Sequence, residues 1–285
     1  MVQIKNFQVG SDPEFAAIKV STGQIKSVIG YLGGTKQEPL SIGNGCSRQE
    51  DNVMAEFCIP PCNNRKEFIS YIEYCKTKGN EILANHGLEL LPTSSQRYSN
   101  EELDNYKAKR FGCSPSYSAY TQDLNIAPRH FEVGNLRSCG FHIHVGFNKE
   151  GFKPDDAILF IKYMDVCLGV PSIILDTDTE RRKLYGKAGD YRPRVINDNL
   201  VIEYRSLGGN LLRDRKTIGW VYDGTINAIE MFNKRADLPN EQLVQNCINY
   251  SNVELAKRIC NEYQNFFSSS IWKLEETTRE PHILT

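Results

Sequence analysis

Over residues 7–20, apolar and polar positions alternate in short bursts, the period of two that predicts a half-buried strand. Ser21-Thr22-Gly23 makes a turn, and residues 25–32 read as its antiparallel partner. Gly33-Gly34 breaks that element and Asn44-Gly45 marks a further turn. Residues 51–59 are a third strand, ended by Pro60-Pro61. The period then lengthens. From Asn63 or Asn64, either of which can cap, a helix runs to His86-Gly87 with Phe68, Ile69, Ile72, Cys75, Ile82 and Leu83 on one broad face. Gly79 weakens its middle, and His86 reads as part of its C-terminal cap.

Residues 93–135 are polar, rich in Ser, Asn and Tyr, and hold no period, which predicts an insertion serving as a lid or substrate wall. Residues 137–147 predict a strand. Pro154 opens a helix reaching 168, with Asp155 and Asp156 in its favourable first turn. Residues 186–194 read as a Gly- and Arg-bearing loop, 200–206 as a strand, and 217–234 and 241–267 as two helices, with Trp220 and Tyr222 in the core. This order predicts an α+β fold around an antiparallel sheet rather than a βαβ alternation. The expected organisation is one domain over 1–272 with the insertion at 93–135, then a peripheral tail at 273–285.

Composition narrows the classes. The 285 residues carry 34 Lys+Arg against 35 Asp+Glu, a net charge of -1, which disfavours a wholesale polyanion binder. No apolar stretch is expected to supply the ~20 residues of a membrane span, and the first fifteen residues lack a signal-peptide layout. Nine cysteines, an odd number without a secretion signal, predict reduced thiols rather than a disulfide framework. Their spacing matches no zinc site.

Four segments put acid, imidazole or guanidinium groups on or beside strands: Gly10-Ser11-Asp12-Pro13-Glu14-Phe15, Asp51-Asn52-Val53-Met54-Ala55-Glu56-Phe57, Gly140-Phe141-His142-Ile143-His144-Val145-Gly146 and Val201-Ile202-Glu203-Tyr204-Arg205-Ser206. Strand periodicity projects His142 and His144 to one side and Phe141, Ile143 and Val145 to the other. Glu203 and Arg205 repeat that geometry. Glu14 and Glu56 each end a short apolar strand and are each followed by a phenylalanine. Charges facing a sheet interior need partners, and Mg²⁺ held by Glu14, Glu56, His142 and Glu203 would be such a partner. Asp12 and Asp51 either orient ligands or cap turns. Cys139 reads as core packing, and His130 as a substrate contact within the insertion.

Between 181 and 194, Arg181, Arg182, Lys183, Lys187, Arg192 and Arg194 give six basic groups in fourteen residues, with Gly186 and Gly189 permitting close approach. Beside a carboxylate-held metal this reads as a phosphate clamp; alone it reads as a solvated loop or a nucleic-acid patch. No GxxxxGK[ST] motif occurs.

In these segments the chain resembles the carboxylate–amine ligases of the glutamine synthetase and glutamate–cysteine ligase superfamily, and most of all the phage-borne, amidoligase-like phiEco32-like COOH–NH2 ligase type 2 branch. Gly140-Phe141-His142-Ile143-His144 looks like that superfamily's Gly-x-His-x-His strand, and Ile202-Glu203-Tyr204-Arg205 like its Ile-Glu-x-Arg strand. The resemblance covers residues 8–215. It implies a glutamine synthetase-like catalytic domain, a curved antiparallel sheet with helices on its outer face. It implies Glu14, Glu56, His142 and Glu203 as metal ligands and His144 as a nucleotide-phosphate contact. Arg205 becomes a phosphate or acyl-phosphate contact, with Arg182, Lys187, Arg192 and Arg194 in the clamp. The implied cofactors are ATP and Mg²⁺, with Mn²⁺ as a substitute.

The implied reaction joins a small-molecule or peptide carboxylate to an amine through an acyl phosphate, in the cytoplasm of an infected bacterial host. Nucleic acid enters only if a modified base is the substrate. No ammonia-site segment is recognisable, and relatives range from monomers to rings. Two other classes stay open: a metal-dependent hydrolase or nuclease using the same side chains, and a non-catalytic phage protein on the same fold.

Overall fold

A computed structural model describes residues 2–109, 115–125 and 134–267. His130 and the tail at 273–285, both assigned above, lie outside the described residues. The main sheet is antiparallel. Its order is β3 (Leu40–Gly43), β4 (Cys46–Asp51), β5 (Met54–Cys58), β1 (Gln8–Lys19), β11 (Phe141–Asn148), β13 (Asn199–Tyr204), β12 (Asp190–Ile196), β8 (Ser116–Ser118) and β9 (Leu124–Asn125). β2 (Ile25–Lys26) and β6 (Leu88–Leu91) add to the far half of β1, and β7 (Ser95–Arg97) pairs separately with β10 (Leu136–Ser138).

β1 changes partners midway. Gln8 to Pro13 pair with β11, and from Glu14 onward the strand pairs with β5, β6 and β2. Pro13, which has no N–H to donate, sits at this change, where a central strand tolerates it.

The helices are α1 (Arg65–Ala84), α2 (Asn100–Leu103), α3 (Pro154–Met164), α4 (Val170–Leu175), α5 (Arg215–Lys234), α6 (Glu241–Asn249) and α7 (Val253–Glu262). Phe141, Ile143, Val145, Phe147, Ile202 and Tyr204 are buried in one core with residues of α1, α3 and α5. The Phe141 ring stacks on Phe68 of α1 at 6.2 Å. Each such burial contributes about 1.5–3 kcal/mol, so the helix side holds the sheet and leaves its other face available. Asn64 caps α1, accepting from the Glu67 N–H at 3.0 Å. Gly79 has a packing role: a Cβ there would lie 2.6 Å from both Leu90 and Phe57 side-chain atoms, so glycine lets α1 lie close on the sheet. Trp220, Tyr222 and Cys139 are buried.

The architecture is thus α+β, a large antiparallel sheet flanked by helices. Several sequence expectations are corrected. The sheet is not strongly curled: β1, β11, β13 and β12 pair in continuous register, and the one register shift recorded lies at the β3–β4 edge, so the bulges that bend sheets are absent from these central pairs. The expected strand at 25–32 shrinks to β2, because a turn starts at Val28. β4, β6 and the 190–196 strand were not expected. The expected 241–267 helix is broken into α6 and α7, with Ser251 at φ 49° and Asn252 capping the second. The helix at 154 runs past 168 through a wide turn at Asp165–Gly169, because Pro171 has no N–H for a regular ladder. Pro154–Leu175, 22 residues, is therefore long and apolar enough to cross a membrane, contrary to the expectation, but 83% of its most apolar stretch is buried inside the fold, as in a core helix.

Candidate functional site

Register assembles the site on the face away from the core helices. Asp12 lies opposite His142, Gly10 opposite His144, and Glu14 opposite Glu56. His144 lies opposite Glu203, which lies opposite Arg192. Gln49 lies opposite Glu56 and Asp51 opposite Met54. Directly opposed residues of an antiparallel pair share a face, so five neighbouring strands and the start of β12 deliver carboxylates, imidazoles and guanidiniums to one surface. Gly140 makes room for this: a Cβ there would lie 2.3 Å from His142 Nε2. The Gly140 N–H donates to the Glu14 carboxylate.

Two acidic groupings result. Asp12, His144 and Glu203 each present one ligand atom, all within 4.8 Å of one another. His144 Nε2 is 3.1 Å from Asp12 Oδ2, yet this buried nitrogen makes no aligned hydrogen bond. Burial is the largest influence on His144 and would lower its pKa, but the adjacent Asp12 carboxylate and the Glu203 charge together raise it; burial would raise Asp12, and His144, Arg194 and Arg205 together lower it instead. The second grouping is Glu14, Glu56 and Asp51. Burial, then repulsion from Asp51, pushes Glu14 up to about 7 and Glu56 well above the usual carboxylate range. Burial raises Asp51 as well, against the pull of Lys36 and Arg205. His142 stands between the groupings, its Nδ1 3.7 Å from Glu14 and 3.8 Å from Glu203. Burial, then Arg205 and Arg181, holds it neutral, well below the ordinary imidazole value.

The guanidiniums converge on Glu203, which is almost fully buried: Arg192 at 3.1 Å, Arg194 at 3.3 Å and Arg205 in direct contact. A cavity of about 220 Å³ is lined by Asp12 and Glu203 of the first grouping, by all three carboxylates of the second, and by Lys36, Arg48 and Gln49. A smaller one of about 40 Å³ shares Glu14, Asp51, His142 and Arg205 and continues between Arg137, Ser138, Arg181 and Tyr185.

The structure therefore brings together Glu14, Glu56, His142, His144, Glu203, Arg192, Arg194 and Arg205. It does not bring in the rest of the expected clamp. Lys187 is exposed and lines neither cavity, and Arg182 is buried to the side with Nη2 3.4 Å from the Ser206 carbonyl oxygen. The cause is secondary structure. Residues 190–196 form a strand whose alternation aims Asp190, Arg192 and Arg194 together, while 181–183 are a short helical turn that turns Arg181 toward the smaller cavity. Asp12 and Asp51, weighed above as orienting or capping groups, are full members of the two groupings. Lys36, Arg48, Gln49, Arg137 and Ser138 were not singled out, for they carry no motif, and Arg181 was named only as one of the six basic groups between 181 and 194.

An oxygen-rich donor set with one imidazole suits Mg²⁺ or Mn²⁺. The unaligned His144 nitrogen, with Asp12 and Glu203 beside it, fits a divalent ion.

No family model and no curated protein matches the sequence. Solved structures are similar to the fold at low identity. One described as apo GmaS without ligand has a TM-score of 0.46 and 12% identity over 96% of this chain and 68% of that one. A GmaS/ADP complex has a TM-score of 0.43 and 9% identity over 96% and 68%. A novel glutamine synthase homolog has a TM-score of 0.44 and 9% identity over 95% and 66%. The chain thus spans about two thirds of the length of each, and the reading that follows stands on the site's own geometry.

Proposed function

We propose that this chain is an ATP-dependent carboxylate–amine ligase, forming an amide or isopeptide bond through an acyl phosphate. The observation that carries it is the convergence of Asp12, Glu14, Asp51, Glu56 and Glu203 with His142 and three arginines on one cleft, with His144 beside Asp12 and Glu203. Asp12, His144 and Glu203 would hold one divalent ion, and Glu14, Glu56 and Asp51, with His142 between, a second. Such ions would neutralise phosphate oxygens and so lower the repulsion that a substrate carboxylate meets at the γ-phosphorus.

The protein's own groups do the rest. Arg192, Arg194 and Arg205, which contact Glu203 here, exchange that partner for phosphoryl oxygens as ATP enters and offset the spreading charge. The carboxylate substrate enters the larger cavity beside Glu14 and Arg205, which line it. A carboxylate oxygen bonds to the γ-phosphorus as the bond to ADP breaks. An amine nitrogen then bonds to the acyl carbon as the bond from that carbon to the phosphate oxygen breaks, phosphate leaves and the amine's proton passes to solvent.

The test is an ADP-release screen over pooled carboxylates and amines with ATP and Mg²⁺, followed by mass spectrometry of products. The expected result is a condensation product formed in step with ADP. Phosphoester or peptide cleavage that needs metal but no ATP would overturn the proposal in favour of a hydrolase.

A further inference from the structure

Residues 33–39 form a braced turn at the end of the cleft away from the arginine-bearing strand β12. Gly33 and Gly34 adopt φ of 74° and 83°, and a Cβ on Gly34 would lie 2.5 Å from the Arg48 carbonyl oxygen. Only glycine lets the chain press this closely on β4. The Glu50 carboxylate accepts from the Gly30 N–H at 2.7 Å and the Gly33 N–H at 2.9 Å, and the Glu50 N–H donates to the Gly34 carbonyl at 3.3 Å. Thr35 and Glu38 exchange both backbone hydrogen bonds at 3.1 Å. This closed turn carries Lys36, exposed at the cleft mouth, where it lines the larger cavity with Arg48, Asp51 and Glu56. Its charge acts on the Asp51 carboxyl.

We propose that Lys36 binds phosphoryl oxygens of the nucleotide at the Asp51–Glu56 end of the cleft, opposite Arg192 and Arg194. The inference rests on the ligase reading. A polyphosphate laid across both acidic groupings presents negative oxygens at each end; Arg192 and Arg194 contact Glu203 at one end, and Lys36 and Arg48 line the cavity at the other. An ammonium on a flexible stem, rooted in a fixed turn and lining the cavity with Asp51 and Glu56, can turn to a phosphate laid over them.

Titration calorimetry on the full chain with Mg²⁺ alone, MgADP and MgATP tests it, using wild type, Lys36→Ala and Lys36→Arg. Lys36→Ala should bind MgATP about tenfold or more weakly, the loss of one charge-assisted contact. It should bind Mg²⁺ alone at least as tightly as wild type, because a cation has left the carboxylates. Lys36→Arg should recover most of the nucleotide affinity. Equal MgATP affinity in wild type and Lys36→Ala overturns the role of Lys36 and leaves the ligase reading standing. A parallel loss of Mg²⁺ affinity in Lys36→Ala also overturns it, by showing that the loop merely shapes the site. Failure of wild type to bind MgATP removes both.

Discussion

Gly140→Ala separates the site from the fold. Gly140 has no left-handed φ, so alanine is acceptable to the backbone. The added Cβ would nevertheless lie 2.3 Å from His142 Nε2 and 2.9 Å from the ring carbons Cδ2 and Cε1, far inside carbon–nitrogen contact distance. The imidazole must swing, and swinging takes Nδ1 away from Glu14 and Glu203, now 3.7 and 3.8 Å off. Overpacking a filled site costs about 1–3 kcal/mol, and removing glycine freedom from the unfolded chain returns about 0.4–1 kcal/mol. The net loss of stability is therefore roughly 0–2.5 kcal/mol. Disturbing a ligand's placement costs roughly 10–100-fold in metal affinity or activity, so function should suffer well beyond the fold. Urea unfolding gives the first quantity; Mn²⁺ titration and ADP release give the second. Wild-type metal affinity and turnover in a folded Gly140→Ala protein would refute the placement of His142 at the centre of the site.

Glu14→Gln and Glu56→Gln should leave the metal-free protein folded and abolish most of the rise in melting temperature that Mg²⁺ produces, as a thermal-shift series with and without the ion would show. Gly79→Ala, though better for a helix, should destabilise by about 1–3 kcal/mol, because its methyl would lie 2.6 Å from Leu90 and Phe57 atoms; chemical denaturation reads this directly. Asp165 is fully buried and accepts from the Tyr204 hydroxyl at 2.7 Å, and burial pushes its pKa up to about 7. The folded value exceeds the unfolded one, so its stabilisation is complete below about pH 4 and lost as pH rises through about 7, a span of about 4 kcal/mol. Asp165→Asn should flatten that slope, and unfolding at pH 5 and pH 8 measures it; equal slopes in the two proteins would rule the effect out.

Much of the site could be read from the chain because a strand's period of two is local. His142 and His144 fall on one side, and Phe141, Ile143 and Val145 on the other, whatever strand lies beside them. Residues 190–196 were misread for the reverse reason. Asp190, Arg192, Arg194 and Pro193 resemble a solvated loop, yet the charges line the functional face, and Pro193 pairs only with β13, beyond the two residues that meet β8. Cys46–Asp51 was missed similarly, its polarity reflecting a face turned to the cleft rather than an absence of structure.

The sequence by itself determined the element types over the long periodic segments, the side of each strand that carries chemistry, and the candidate acids and imidazoles. Only the tertiary structure decided which of these meet. Whether Asp12 joins His144 and Glu203 depends on register between strands more than 100 residues apart in the chain, such as Asp12 beside His142. A shift of one residue would send every one of those side chains to the opposite face. That register is fixed by burial of the helix-side face, a property of the whole core.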